Sequence, residues 1–345
     1  MVDVVSKCGQ VGRMGRTETN INWSLLGAAR FVLAIIVLTS HLSYFQGNAL
    51  TRLVEMLDSK AAVLGFLVIS GFSVTSSFDR RHDGFLKRRL LRIYPAYIFA
   101  IAISIALQIG VGPYHANGIF FEGSGWIEVV GNILLLQMYA VKALNFNPVL
   151  WSLSIEVSYY LLLHVLGRPD PRLMFIAIAV SIVYFVLPHD LSGSKAYQAF
   201  EKLNMVRCLW PFLIGVALSR YPSTKLYLSA AVLGTAATLL SDWTPYPLQF
   251  VTYLLTIAAI YVAQRGWFRQ SIVMDRLGDI SYPLYLVHIP TGIFLAAVLG
   301  ITSPLIITFS AIALASFVAF VIEKPFRDAL VKLGSFRIQR ERSIA

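Results

Sequence analysis

The sequence is poor in charged residues. Asp, Glu, Lys and Arg make up 14% of its 345 residues, while 57% are hydrophobic. Ordinary globular domains carry roughly 25% charged residues, so this composition excludes an ordinary soluble domain and predicts an all-α, polytopic membrane protein. The net charge of +11 is compatible with nucleic-acid binding, but basic loops that face the cytoplasm explain it better. We therefore expect the lipid bilayer as a partner, and no nucleic acid.

The chain also lacks several familiar signatures. It has two cysteines, Cys8 in the polar N-terminal tail and Cys208 in an apolar run, so no disulfide is expected. No Cys/His cluster has the spacing of a metal site, and neither GxSxG nor a P-loop occurs; we therefore expect no metal. Residues 1–24 contain no apolar stretch and no cleavage site, which predicts a cytoplasmic tail rather than a signal peptide.

Ten apolar runs are long enough to form helices that span a membrane. They cover residues 25–45, 60–78, 93–112, 150–167, 172–188, 204–219, 225–241, 247–264, 280–299 and 303–322. Most of the 29 lysines and arginines fall in alternate loops, as expected when basic loops face the cytoplasm. We therefore predict about ten transmembrane helices with both termini cytoplasmic, a membrane domain at 25–328 and a basic tail at 329–345.

An eleventh apolar stretch, 126–141, is interrupted by Glu128, Asn132 and Gln137. If this stretch were a full span, every later loop would change sides, and the basic loops would lie outside, against the positive-inside rule. We therefore predict an interfacial or partly inserted helix at this position.

One cation and one imidazole interrupt the first apolar run. Arg30 and His41 are 11 positions apart, roughly 16 Å along a helix, and return to within about 20° of the same face. Titratable groups at membrane depth are costly and usually functional. We interpret them as catalytic, with His41 as a general base for a hydroxyl. The alternatives are a snorkelling Arg30 and a packed, hydrogen-bonded His41.

Clustered arginines follow the second apolar run. Arg88, Arg89 and Arg92 lie within one helical turn, and Pro95 suits a helix start. Clustered guanidinium groups bind phosphate oxygens, so we predict a site for a phosphorylated ligand; the alternative is a purely topological role.

Two small residues, Ser70 and Gly71, lie in the middle of the second run. Small residues usually allow close packing of helices. The alternative is a thin wall beside a ligand tunnel, where the backbone must approach the ligand.

The segment 150–156 opens the fourth run with Trp151, Ser152, Ser154 and Glu156. A carboxylate buried in a membrane needs a partner. Glu156 is predicted at about the same membrane depth as His41, so it could orient the His41 imidazole or position a sugar hydroxyl. The alternative is an ion pair with Arg207.

The segment 281–290 enters the ninth run and contains Tyr285 and His288 between two prolines, Pro283 and Pro290. Such prolines free backbone carbonyls, which is tolerated chiefly where the region is buried in protein or lines a cavity. His288 is then a buried imidazole in the inner half, where a structural role and a ligand contact are equally compatible with the sequence.

These motifs occur along the chain in the order Arg-x10-His, FxxxSGF, RxxR-IYP, WSLSxE, SYxxYLxHxP and ExPxR. In this order, over residues 20–328, they resemble the membrane acyltransferase 3 family. The resemblance implies about ten membrane helices and transfer of acyl groups, most often acetyl, to glycans and other acceptors. It also implies Arg30 and His41 as the essential pair, and Arg89 and Arg92 as the RxxR pair. Val157 follows Glu156 where relatives often have a second glutamate. The chain resembles members without an SGNH esterase domain.

We therefore expect an O-acyltransferase of the bacterial inner membrane, which uses cytosolic acyl-CoA, most simply acetyl-CoA, and acts on a carbohydrate hydroxyl. The expected acyl-CoA site in the inner half comprises Arg88, Arg89, Arg92, Ser70, Gly71, Tyr285 and His288, with Arg30 beside it. The expected outer half holds His41 and Glu156 with the acceptor contacts Trp151, Ser152 and Ser154. The competing hypotheses are a secondary transporter or flippase for a glycan or lipid-linked glycan, which predicts pseudo-symmetric halves, and a non-catalytic acyl-lipid sensor.

Overall fold

The computed structural model describes residues 21–46, 49–187 and 203–329, which form a mostly helical bundle. Its α-helices are α1 Trp23–His41, α2 Ala49–Glu55, α3 Ser59–Arg80, α4 Phe85–Val111, α5 Trp126–Ile133, α6 Trp151–Leu166, α7 Pro171–Val186, α8 Asn204–Arg207, α9 Leu209–Arg220, α10 Thr224–Leu240, α11 Gln249–Arg265, α12 Ile272–Ile293 and α13 Pro304–Phe317. Short 3₁₀ turns occupy Leu42–Tyr44 and Pro148–Leu150, and π-helical turns extend α12 over Phe294–Val298 and α13 over Val318–Glu323. An antiparallel hairpin pairs β1 Tyr114–Ala116 with β2 Ile119–Phe121.

Each of the ten predicted apolar runs coincides with a helix. Within the described residues, six helical segments are long and apolar enough to cross a membrane: Trp23–Tyr44, Ser59–Arg80, Phe85–Val111, Pro148–Leu166, Ile272–Val298 and Pro304–Ala329. The other four runs correspond to α7, α9, α10 and α11, with 16, 12, 17 and 17 residues. The prediction of a polytopic helical membrane protein is thus confirmed, while the count of ten spans and the cytoplasmic termini stay predictions. The predicted tails lie outside the described residues, apart from 21–24 and 329.

The stretch 126–141 forms no membrane-length helix. Helix α5 has 8 residues, and the backbone then turns through positive φ angles at Leu135 and Met138. The polar residues that interrupt the apolar run hold this turn. Asn132 donates to the carbonyl oxygens of Glu128 and Lys142, both at 2.8 Å. The side chains of Asn132 and Gln137 are fully buried.

Helices α1, α3 and α12 form the centre of the bundle, where glycines allow backbones to meet. A Cβ on Gly27 of α1 would lie 3.1 Å from the Cα of Gly278 in α12. A Cβ on Gly71 of α3 would lie 2.0 Å from the carbonyl oxygen of Phe212 in α9. Small residues at these positions therefore set the helix spacing, as is common where van der Waals packing drives association in membranes.

The two ends of the bundle differ in chemistry. At the end that we call the basic end, Ser24 at the start of α1 donates to Asp275 of α12 at 2.7 Å, and Asp79 of α3 pairs with Arg220 of α9 at 3.2 Å. At the far end, the hairpin meets the last turn of the first span, where Asn117 donates to the carbonyl oxygen of Ser43 at 2.6 Å. Helices α1 and α12 therefore both start at the basic end and run to the far end.

The prediction that Pro95 begins a helix is wrong. Helix α4 begins at Phe85 and contains Pro95 in its interior. Because proline has no N–H, the carbonyl of Leu91 lacks its intrahelical donor. Both Leu91 and Pro95 line the large cavity described below, which is a place where a membrane helix tolerates a freed carbonyl.

Candidate active site

A large cavity opens between α1, α3, α4, α6 and α12 and the end of the last span. Its empty space measures about 1220 Å³, including the solvent at its mouth. At the basic end its rim carries the exposed side chains of Arg92, Asp279 and Arg327. Its polar lining residues are Arg30, Ser70, Ser73, Arg89, Arg92, Ser152, Glu156, Tyr160, Asp279, Ser281, Tyr282, Tyr285, Glu323 and Arg327. We call it the first cavity.

Arg30, Arg89 and Arg92 line the first cavity and form no salt bridge with another described residue. Among the described residues, the salt bridges within 4.0 Å are those of Asp79 with Arg168 and Arg220. Arg30 donates through Nε to the carbonyl oxygen of Leu26 at 3.4 Å, a long contact, and the Arg89 guanidinium lies 5.9 Å from the centroid of the Phe85 ring. Together with Arg92, these guanidinium groups leave most of their donors available for an anion.

Glu156 faces these arginines and not His41. Its Oε1 accepts hydrogen bonds of 2.5 Å from the hydroxyls of both Ser70 and Tyr160. The hypothesis that Glu156 orients the His41 imidazole, and the alternative of an ion pair with Arg207, both assumed that α6 begins at the membrane surface. In fact α6 begins inside the bundle, because the preceding residues Asn147 and Leu150 are fully buried, so Glu156 reaches the first cavity instead.

His41 lies against a second imidazole. Its Nδ1 is 2.8 Å from the carbonyl oxygen of Val37 and 3.2 Å from Nε2 of His288, and the two ring centroids are 5.2 Å apart. His288 in turn places Nδ1 3.2 Å from the carbonyl oxygen of Leu284. The structure therefore places His288 beside the His41 imidazole, and not among the residues predicted to bind acyl-CoA.

The hydrogen-bond partners determine which nitrogens carry protons. A carbonyl oxygen can only accept, so Nδ1 of His41 donates to Val37 and Nδ1 of His288 donates to Leu284. Nε2 of His288 is then an acceptor for the Nδ1–H of His41. The Nε2 of His41 carries a lone pair and has no hydrogen-bond partner among the residues that the structure describes, which is the state required of a general base.

The depth of His288 follows from the real start of its helix. The predicted run begins at residue 280, whereas α12 begins at Ile272, because Asp275, Arg276 and Asp279 are polar but helical. His288 is therefore 16 residues, roughly 24 Å, along α12, and His41 is 18 residues, roughly 27 Å, along α1. Since both helices start at the basic end, the two imidazoles reach the same depth.

Tyr285 lies between the first cavity and the histidine pair. Its hydroxyl is 2.7 Å from that of Ser152 and donates to the carbonyl oxygen of Val149 at 3.2 Å. Its ring centroid is 6.2 Å from that of His288, one turn further along α12. The first cavity thus ends one helical turn short of the histidine pair.

Besides His41 and His288, four predicted site residues do not line the first cavity. Arg88 turns back to donate to the carbonyl oxygens of Arg81, at 2.7 Å, and Asp83. Gly71 packs against the backbone of Phe212, as described above, so the close-packing alternative accounts for it.

The other two predicted site residues outside the first cavity, Ser154 and Trp151, lie on the face of α6 that points away from it. Ser154 is buried and donates to the carbonyl oxygen of Gln137 at 2.7 Å, and Trp151 packs edge-on against Trp243, with 6.1 Å between the ring centroids. Ser152, by contrast, lines the first cavity.

Four further residues that had no predicted role also line the first cavity: Tyr160, Tyr282, Glu323 and Arg327. Tyr160 lies one turn after Glu156 and shares its hydrogen bonds, and Tyr282 donates to the carbonyl oxygen of Ile93 at 3.0 Å. Glu323 and Arg327 belong to the ExPxR motif, whose place in the motif order was the available signal for them. Within the described residues, no group of three or more His, Cys, Asp or Glu could hold a metal ion.

Comparison with known proteins identifies the class. The family described as "Acyltransferase domain" matches residues 25–324, so the chain belongs to the acyltransferase 3 family and is a membrane acyltransferase. Relatives include nodulation protein 10 of Rhizobium leguminosarum bv. viciae, 25% identical over 86% of this chain and 88% of that protein. The acyltransferase MdmB of Streptomyces mycarofaciens is 25% identical over 76% of this chain and 77% of its own length.

The O-acetyltransferase OatA of Staphylococcus aureus is 27% identical over 66% of this chain, but the match spans only 45% of OatA. No solved structure matches the chain.

Proposed function

We propose that this protein transfers an acyl group, specifically acetyl, from cytosolic acyl-CoA to a hydroxyl of a carbohydrate at the bacterial inner membrane. The proposal rests on the order in which the sites lie along the axis of the helix bundle. An arginine-lined cavity opens at the basic end. One helical turn beyond its inner wall lies Nε2 of His41, which carries a lone pair and has no hydrogen-bond partner in the part of the chain that the structure describes. The positive-inside rule assigns the basic end to the cytoplasm, where acyl-CoA is available.

The first cavity suits a long, phosphorylated thioester. Arg89 and Arg92 lie near its mouth, on the first three turns of α4, where guanidinium groups can fork onto phosphate oxygens. Arg30 lies deeper, and the step from Arg30 to His41 is roughly 16 Å along α1. A narrow, flexible arm such as pantetheine can cover this distance, whereas the bulkier nucleotide remains with the arginines.

His41 would act on the acceptor hydroxyl. Its Nε2 accepts the hydroxyl proton as the acceptor oxygen attacks the thioester carbonyl. When the tetrahedral intermediate collapses, the carbon–sulfur bond breaks and CoA leaves as a thiolate, which takes the proton from Nε2. The acetyl ester and free CoA are the products. The positive charge that His41 carries in between is stabilised by the two acceptors at Nδ1, the carbonyl oxygen of Val37 and Nε2 of His288.

The remaining rate acceleration comes from holding the two substrates close together. Holding the thioester and the hydroxyl together in a water-poor site removes much of the entropic barrier of a bimolecular reaction. It also limits hydrolysis of the thioester, because water competes with the acceptor for the same base.

The experiment is acetyl transfer by the purified protein in liposomes. Radiolabelled acetyl-CoA is supplied with oligosaccharides of neutral hexoses, N-acetylhexosamines and uronic acids, and label in the sugar is measured. The His41→Ala variant should lose transfer by a factor of 10²–10⁴, the usual worth of a general base. His115→Ala, which removes an exposed imidazole from the hairpin, is the matched control. Failure of the wild-type protein to label any acceptor, or His41→Ala activity within tenfold of wild type, would contradict the proposal.

A further inference from the structure

A second cavity lies at the far end of the bundle. It holds about 680 Å³ of empty space, including solvent at its mouth, and is lined by Ser43, Phe45, Gln46, Arg52, Glu55 and Asn117. One of these residues is an aromatic and the other five are polar, so its lining differs from the arginine-rich first cavity.

The second cavity is located directly beyond the histidine pair. The Phe45 ring packs on Gly292 of α12 so closely that a Cβ there would lie 2.3 Å from the ring. Gly292 is four residues, roughly 6 Å, beyond His288, while Tyr285 at the end of the first cavity is three residues before it. Along α12 the two imidazoles therefore lie between the two cavities.

Two charged groups in the second cavity have unused binding capacity. Oε1 of Glu55 is buried and has no hydrogen-bond partner among the described residues, and burial of an unsatisfied polar atom costs free energy. Arg52 is three residues earlier on α2, yet these two residues form no salt bridge among those found in the described chain. A ligand with hydroxyl groups could satisfy both, by donating to the carboxylate and accepting from the guanidinium.

Two amide side chains in the same cavity are already oriented. Asn117 uses its NH₂ group to donate to the Ser43 carbonyl oxygen at 2.6 Å, which leaves its Oδ1 as an acceptor. Gln46 uses its Oε1 to accept from Thr302 at 2.8 Å, which leaves its NH₂ group as a donor. The cavity therefore offers fixed donors and fixed acceptors without an excess of one charge.

We propose that the second cavity is the subsite that holds a sugar ring of the acceptor, with Glu55 and Arg52 as its principal polar contacts and Phe45 as an apolar wall. Sugar hydroxyls both donate and accept, which matches this lining better than a phosphate or an amine, each of which would meet a charge of its own sign. The subsite rests on the proposed transfer to carbohydrate, because it delivers a hydroxyl to Nε2 of His41 from the side opposite to the thioester.

The test is a steady-state comparison of Glu55→Gln with wild type. The probe is the panel oligosaccharide that the wild-type protein acetylates, with acetyl-CoA as donor. Glu55→Gln keeps the shape of the side chain but replaces an anionic acceptor, so we expect the acceptor KM to rise about tenfold and the KM for acetyl-CoA to stay within twofold. Glu122→Gln, an exposed carboxylate after β2, is the matched control and should not change either constant.

A second variant distinguishes a loss of acceptor binding from misfolding. Arg52→Gln loses no hydrogen bond or ion pair to another described residue and should raise the acceptor KM with thermal stability unchanged. An acceptor KM within twofold of wild type in both variants would overturn the subsite while leaving the proposed function intact. Failure of the wild-type protein to acetylate any oligosaccharide would instead contradict the proposed function, and the subsite with it.

Discussion

Replacement of His288 by alanine should slow acetyl transfer without weakening donor binding. The substitution removes Nε2, one of the two acceptors that lie within hydrogen-bond distance of the His41 Nδ1–H, and leaves the carbonyl oxygen of Val37 at 2.8 Å. His288 lines neither the first nor the second cavity. We therefore expect the loss in kcat and not in the KM for acetyl-CoA.

The size of the loss follows from the charge on His41. A hydrogen bond to a charged group contributes about 1.5–3 kcal/mol, and it matters here when His41 carries the acceptor's proton. Because Val37 continues to accept, we expect the lower part of that range, about 1.5–2 kcal/mol, or a 10- to 30-fold decrease in kcat. The loss is smaller than for His41→Ala, which removes the base itself.

The assay compares His288→Ala with His288→Gln under single-turnover conditions. The glutamine Oε1 can occupy the position of the lost Nε2 and accept from His41, so we expect partial rescue of the rate by glutamine. A merely structural histidine predicts no such difference, since both variants lose the imidazole. Turnover of His288→Ala within threefold of wild type, or equal defects in the two variants, would refute the role of His288 in positioning His41.

Three further variants test the donor site and the packing. Arg30→Lys keeps the charge but not the planar fork, so we expect normal membrane insertion and an approximately tenfold higher KM for acyl-CoA; full affinity and turnover would make Arg30 a membrane anchor. Arg89→Ala combined with Arg92→Ala should raise the KM for acyl-CoA more than that for the acceptor, whereas Arg88→Ala, outside the first cavity, should change neither; equal effects of the two changes would contradict the assignment. Gly71→Ala should lower the free energy of unfolding in detergent by about 1–3 kcal/mol, because the added methyl group overpacks against Phe212. Gly110→Ala, which has open space at its Cβ, should not lower it. Equal melting temperatures of the two variants would contradict the packing argument.

The helices themselves were predictable from the sequence. Long apolar runs and the alternation of basic loops follow from the length of a bilayer crossing and the cost of burying charge. The same reasoning selected Arg30 and His41 as candidate catalytic residues, because few polar groups occur in membrane spans. The polar interruptions at Asn132 and Gln137 correctly indicated that 126–141 is not a full span.

The depth of a residue was harder to predict, because apolar runs and helices do not share their ends. Helix α4 includes the arginine segment before Pro95, and α12 includes eight residues before its apolar run, since a helix can extend into polar surroundings without a change in backbone geometry. Because of this difference in helix start, His288 was predicted in the inner half, whereas it lies at the depth of His41. The buried start of α6 likewise moved Glu156 from the predicted neighbourhood of His41 to the arginines.

Only the tertiary structure decided which candidate site residues lie close together. His41 and His288 are 247 positions apart, and Glu55 of α2 and Asn117 of the hairpin turn line one cavity. A hydrophobic pattern shows which face of a helix is apolar, but not which neighbouring helix that face contacts. That choice depends on side-chain volumes and glycine contacts such as Gly27 with Gly278, where two backbones must fit together in three dimensions before any pair of polar groups can meet.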